Sequence, residues 1–115
     1  MKRILVVDDD KTILELLKDA LPALGYRADF AIAGNQAINM IKARSYDLIL
    51  SDIRMPEING IDVARAAYQD RPEVPILFMS GNPNTIVEDR SFLAKPFTLT
   101  ELETKIEFAL TPAES

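Results

Sequence analysis

The chain contains no cysteine and no histidine. Disulfides, a Cys/His zinc site and every catalytic triad that relies on an imidazole base are thereby excluded. No apolar run approaches the roughly 20 residues needed to span a bilayer. Met1-Lys2-Arg3 does place positive charge ahead of an apolar stretch, but Ile4 to Val7 is too short for a signal peptide and runs straight into three aspartates. The sequence therefore reads as that of a cytoplasmic chain. Runs of Lys and Arg are missing as well. With 13 basic against 18 acidic residues and a formal charge of −5, nucleic-acid phosphate is repelled on average. Proteins or small ions are the expected partners, with no nucleic acid and no membrane among them. There is no internal repeat, low-complexity tract or linker.

What is present is the composition of an ordinary soluble globule, 115 residues with 48% hydrophobic and 27% charged, which predicts one domain over residues 1–115. Lys2 to Val7 reads as a strand with Asp8, Asp9 and Asp10 at its exit. Ile13, Leu14, Leu16, Leu17, Ala20, Leu21 and Leu24 then recur at helical spacing, with Asp10 as N-cap and Gly25 as the stop. Pro22, late in that pattern, deletes the bond to Lys18 and is expected to kink or shorten the last turn. Tyr26 to Ile32 is a partly alternating strand that suits a sheet edge, and Gly34 to Arg44 is a helix burying Ala37, Ile38 and Ile41. Leu48 to Leu50 forms a buried strand ending in Ser51 and Asp52, followed by a loop and a helix from about Gly60 to Asp70 with Ile61, Ala64 and Ala67 inside. Pro72 and Pro75 precede a fourth strand, Ile76 to Met79, ending at Ser80 and Gly81. Ser91 to Lys95 is a shorter strand candidate. Thr98 and Glu101 make a capping box in front of Leu99, Leu102, Ile106, Ala109 and Leu110, and residues 111–115 form a frayed tail.

Strands alternating with helices imply an α/β, doubly wound parallel sheet with right-handed crossovers and helices on both faces. In such a sheet the strand C-termini share one rim, where ligands bind. That rim receives Asp8 and Asp9 from the first strand, Asp52 from the third, Ser80 from the fourth and Lys95 from the fifth. Crowded carboxylates repel unless a cation sits among them. A hard ion such as Mg2+ takes one or two carboxylates plus waters and phosphate oxygens, leaving Lys95 and Ser80 to serve further phosphate oxygens. Asp10 is read as a helix cap instead.

VVDDD after strand one, SDIRMPEING after strand three, FMSG after strand four and LAKPF at strand five together resemble a two-component response-regulator receiver domain, over essentially the whole chain. The resemblance implies the flavodoxin-like strand order 2-1-3-4-5. It implies Asp52 as phosphoacceptor, with a sensor histidine kinase or a histidine phosphotransfer protein as donor. Asp8, Asp9, Asp52 and the backbone carbonyl of Arg54 would hold Mg2+. Lys95 would pair with one phosphoryl oxygen and Ser80 with another, Phe92 would follow Ser80 in the switch, and Lys95-Pro96 would be a cis peptide bond. A protein of this kind is not an enzyme beyond catalysing its own phosphorylation and dephosphorylation. Arg54 and Asn82 resemble positions that tune phosphoryl lifetime.

One segment departs from the pattern. Only 14 residues separate Ser80 from Lys95, leaving roughly ten after strand five, whereas an average helix takes ~11 to 12. The helix that the family carries between strands four and five is therefore expected to be short or absent, with residues 82–90 forming a single turn or a loop. Two other functions compete. Asp8-x-Asp10-x-Thr12 also resembles a haloacid-dehalogenase type of phosphohydrolase with Asp8 as nucleophile, but the acidic pair it needs after the lysine is lacking. A receiver-like binding module that is never phosphorylated is the other alternative.

Overall fold

Five short strands run parallel to one another: β1 (Arg3–Val7), β2 (Arg27–Ala31), β3 (Leu48–Asp52), β4 (Ile76–Ser80) and β5 (Phe92–Ala94). Their order is β2-β1-β3-β4-β5, as expected. Four helices, α1 (Lys11–Ala23), α2 (Gly34–Ala43), α3 (Gly60–Asp70) and α4 (Leu99–Leu110), pack on the sheet among the described residues. These come from a computed structural model that describes residues 1–81 and 92–111. The short helix or loop expected at residues 82–90 and the tail after Thr111 lie outside them.

The apolar strands are continuous because both faces are covered. Ile4 and Val6 of β1, Leu48 and Leu50 of β3, and Leu77 and Met79 of β4 point into one core, closed by Leu14, Leu17 and Leu21 of α1 and by Leu102 and Ile106 of α4. Leu5, Val7 and Ile49 point the other way, against Ala37 and Ile41 of α2 and Val63 and Ala67 of α3. Strand β2 has one neighbour and is mostly half-buried, which explains its weaker pattern.

Three helical details differ from expectation. Ile61 is 41% exposed, and the inner face of α3 is Gly60, Val63 and Ala67. The phase is set by Gly60, which lies so close to β3 that a Cβ would run into the Asp52 carbonyl oxygen. Leu16 and Leu99 likewise point outward. Pro22 does not shorten α1, which continues through Ala23. The last turn closes by a Schellman motif in which Gly25 N–H donates to Pro22 (3.0 Å) and Tyr26 N–H to Leu21 (3.0 Å). Gly25 supplies the left-handed backbone, φ 91°, that this motif requires.

Asp10 caps α1 by accepting the Thr12 N–H at 2.9 Å. The Thr98/Glu101 capping box forms at α4, and a second box, Asn59 with Asp62, opens α3. No helix among the described residues is long and apolar enough to cross a membrane.

Candidate functional site

Strands β1 and β3 are neighbours, with Val7 opposite Ser51, so the residues that follow each of these meet at one corner. Asp8, Asp9 and Asp52 each offer a carboxylate oxygen within 4.8 Å of the others. Asp8 is fully buried, Asp9 exposed and the Asp52 side chain 14% exposed. Asp8 is fixed on three sides. Its N–H donates to the Ala31 carbonyl (3.1 Å), its Oδ1 accepts the Asp10 N–H (2.9 Å), and its Oδ2 accepts the Lys95 ammonium at 2.8 Å.

Lys95 arrives from the far edge of the sheet. Its N–H donates to the Ser80 carbonyl at 2.8 Å, and the following bond to Pro96 is cis, as the family resemblance implied. The ammonium lies 3.6 Å from Asp52 Oδ2, farther than from Asp8. In this state Lys95 serves Asp8 first. Ser80 is buried at the end of β4. Phe92 is half-buried on β5, its ring centroid 6.1 Å from that of Phe78 on β4 at a tilt of 43°. The Arg54 side chain is exposed, while its backbone N–H favours the ionised form of the Asp52 carboxylate.

The electrostatics follow from this crowding. Burial, then the charge of Asp8, raise the Asp52 carboxyl above its ordinary value; Lys95 and the Arg54 N–H pull it back, and Asp9 adds to the rise. Burial works against the Lys95 ammonium, but the hydrogen bond and charge of Asp8, then Asp52 and Asp10, outweigh it and hold Lys95 above its usual value. An all-oxygen donor set at this spacing fits a hard divalent cation, which would relieve the carboxylate repulsion.

Two features of the loop after Asp52 went unread in the sequence. Pro56 to Ile58 forms a γ-turn, with Ile58 N–H donating to the Pro56 carbonyl at 2.8 Å and Glu57 at φ 65°. Gly60 closes the loop by donating to Ile53 at 2.9 Å. Pro56 followed by Asn59-Gly60 was the available signal, but it marks a turn without giving its geometry.

A parallel sheet in this order, with acidic residues after β1, an aspartate ending β3 and a lysine after β5, defines a class of signalling domain. Residues 4–107 match the family model of the response regulator receiver domain, and the chain belongs to that family. It is 36% identical to the response regulator receiver protein CpdR of Brucella abortus, over 98% of this chain and 100% of that protein. Several other curated relatives are longer, and the chain spans between 25% and 47% of the length of these. Among solved structures it is similar to the response regulator TrrA of Thermotoga maritima, determined with Mg2+ and BeF, with a TM-score of 0.83 and 35% identity over 93% of this chain and 97% of that one. It is also similar to the receiver domain of the Pseudomonas aeruginosa sensor histidine kinase PA1611, determined with magnesium in its active-site cleft. There the TM-score is 0.84 and the identity 28%, covering 95% of this chain and 97% of that one.

Proposed function

We propose that Asp52 is the phosphoacceptor of a cytoplasmic phosphorelay protein, taking the phosphoryl group from a phosphohistidine of a sensor kinase or histidine phosphotransfer protein. The observation that carries this reading is the convergence of Asp8, Asp9, Asp52 and Lys95 on one corner of a receiver fold. An Asp52 carboxylate oxygen attacks phosphorus, the P–N bond breaks, and the imidazole leaves with the electron pair. Asp8, Asp9, Asp52 and the Arg54 carbonyl would hold Mg2+, which would supply charge neutralisation for the transferring group. Lys95 turns from Asp8 toward a phosphoryl oxygen, a short movement given its 3.6 Å distance from Asp52. The Ser80 hydroxyl then bonds another oxygen and Phe92 follows it by packing alone, since it carries no hydroxyl. The chain is no enzyme beyond this self-modification, and its output is contact with a protein partner or passage of phosphate along a relay.

The phosphohydrolase alternative asks Asp8 to be a nucleophile and Asp10 an acid/base, but Asp8 is fully buried against Lys95 and Asp10 caps α1. Acid-quenched peptide mapping after treatment with acetyl phosphate and Mg2+ tests the proposal. Label is expected on Asp52 and lost in Asp52→Asn; label on Asp8 that persists in Asp52→Asn refutes it.

A further inference from the structure

We infer that Gly34, at the start of α2, is a positioning residue for the Asp52 site, acting through Ile58 and the loop between β3 and α3. The inference rests on the phosphoacceptor reading of Asp52. Gly34 is buried and caps nothing: the preceding Ala33 makes no side-chain cap, and Gly34 does not have the positive φ found at Gly25. Its backbone conformation therefore does not call for glycine, and alanine is the better helix former. What calls for glycine is space. A Cβ here would lie 2.5 Å from the Ile58 carbonyl oxygen, 2.6 Å from Ile58 Cγ2 and 2.7 Å from Ile58 Cβ. A backbone oxygen cannot rotate out of the way, so either α2 or the loop must move.

The loop has little slack with which to absorb such a push. Met55 is buried in the core, the γ-turn joins Pro56 to Ile58, the Asn59/Asp62 box fixes the entry to α3, and Gly60 N–H is tied to Ile53 at 2.9 Å. A displacement at Ile58 is thus passed along the chain to Gly60, which is bonded to Ile53 and lies against the Asp52 backbone. A helix that supplies no reacting group sets the aim of the acceptor.

The decisive comparison is Gly34→Ala against Gly25→Ala. The second substitution strains a helix terminus where a Cβ meets nothing within 4 Å, so it lowers stability without touching the loop. Phosphorylation by acetyl phosphate at saturating Mg2+, read by intact mass, and Mg2+ affinity, read by calorimetry, are measured with urea stability for each variant. Gly25→Ala is expected to keep wild-type phosphorylation and Mg2+ affinity. Gly34→Ala is expected to slow phosphorylation by about tenfold or more and to weaken Mg2+ binding, because misplacement of reacting groups by about 1 Å costs rate steeply. Ile58→Ala removes the seat from the other side and serves where Gly34→Ala fails to fold; it is expected to slow phosphorylation by at least about threefold. A folded Gly34→Ala within about twofold of Gly25→Ala in rate and Mg2+ affinity overturns the inference, as does an Ile58→Ala at wild-type rate where Gly34→Ala does not fold. Wild-type protein that takes no label at all is a failure of the phosphoacceptor reading, and Mg2+ affinity alone then decides the role of Gly34.

Discussion

Replacing Lys95 by methionine keeps an aliphatic stem but removes the charge. Asp8, with no exposed surface, then loses its 2.8 Å partner and retains the Asp10 N–H on its other oxygen. Breaking a buried ion pair from one side typically costs about 3–5 kcal/mol. The site also has an escape route, because Asp52, whose carboxyl is already held above its ordinary value by burial and Asp8, can take up a proton. Protonating an ordinary carboxyl costs about 4 kcal/mol at pH 7 and about 1.5 kcal/mol at pH 5. The destabilisation relative to wild type is therefore expected to be about 3–4 kcal/mol at pH 7 and to fall toward about 1.5 kcal/mol at pH 5. A cation bound by the cluster should restore part of the loss, about 2.7 kcal/mol at 100 times its Kd. Urea unfolding followed by far-UV circular dichroism, in EDTA and in MgCl2 at both pH values, measures all three effects. A loss under about 1 kcal/mol at pH 7 in EDTA, or one of equal size at pH 5, would refute the assignment of Lys95 as the counter-charge of Asp8.

Asp52→Asn should stabilise the metal-free protein. Because burial and Asp8 raise the folded-state value, this group's stabilising contribution is present below the unfolded value of 3.8 and is lost as pH rises through the folded value. An ionised Asp52 is thus a burden at neutral pH, and the variant should gain about 0.5–2 kcal/mol in urea melts with EDTA, an advantage that shrinks in MgCl2. Tyr46→Phe should lose about 1.5 kcal/mol, since its hydroxyl donates to Asp29 at 2.8 Å while Arg3 and Arg44 still serve that carboxylate. Burial, then the bond to Asp29, push the Tyr46 phenol up from 10.0 to about 12, so the wild-type advantage is complete below pH 10 and vanishes as pH rises through about 12. Thr98→Ala should cost about 1 kcal/mol by thermal melt, through loss of the α4 capping box.

Much of this molecule could be read from its residues, for identifiable reasons. The strands were legible because burial on both faces forces unbroken apolar runs such as Ile4 to Val7, and the rim residues because a parallel sheet delivers its strand ends to one side. Thr98 with Glu101 announced α4 locally, as Asp10 announced α1. Helix phase was less accessible. Ile61 is the larger apolar residue, yet α3 turns inward through Gly60, because the approach of that glycine to the Asp52 backbone is a tertiary fact with no local mark. Pro22 warned of a break that its place in the final turn makes harmless. At the site, residue types gave the membership of the cluster but not its internal preference. That Lys95 bonds Asp8 at 2.8 Å rather than Asp52 depends on tenths of an ångström set by how β5 lies against β4.

The Lys95–Asp8 bond joins residues 87 positions apart. During synthesis, then, Asp8, Asp9 and Asp52 are all joined to the chain before Lys95, the ammonium that pairs with Asp8. Until that lysine is in place Asp8 lacks the ammonium it is buried against in the finished fold, and a bound cation would have to offset the carboxylates instead. Burial of Asp8 against its ammonium is thus a contact that only a chain extending past β5 can make.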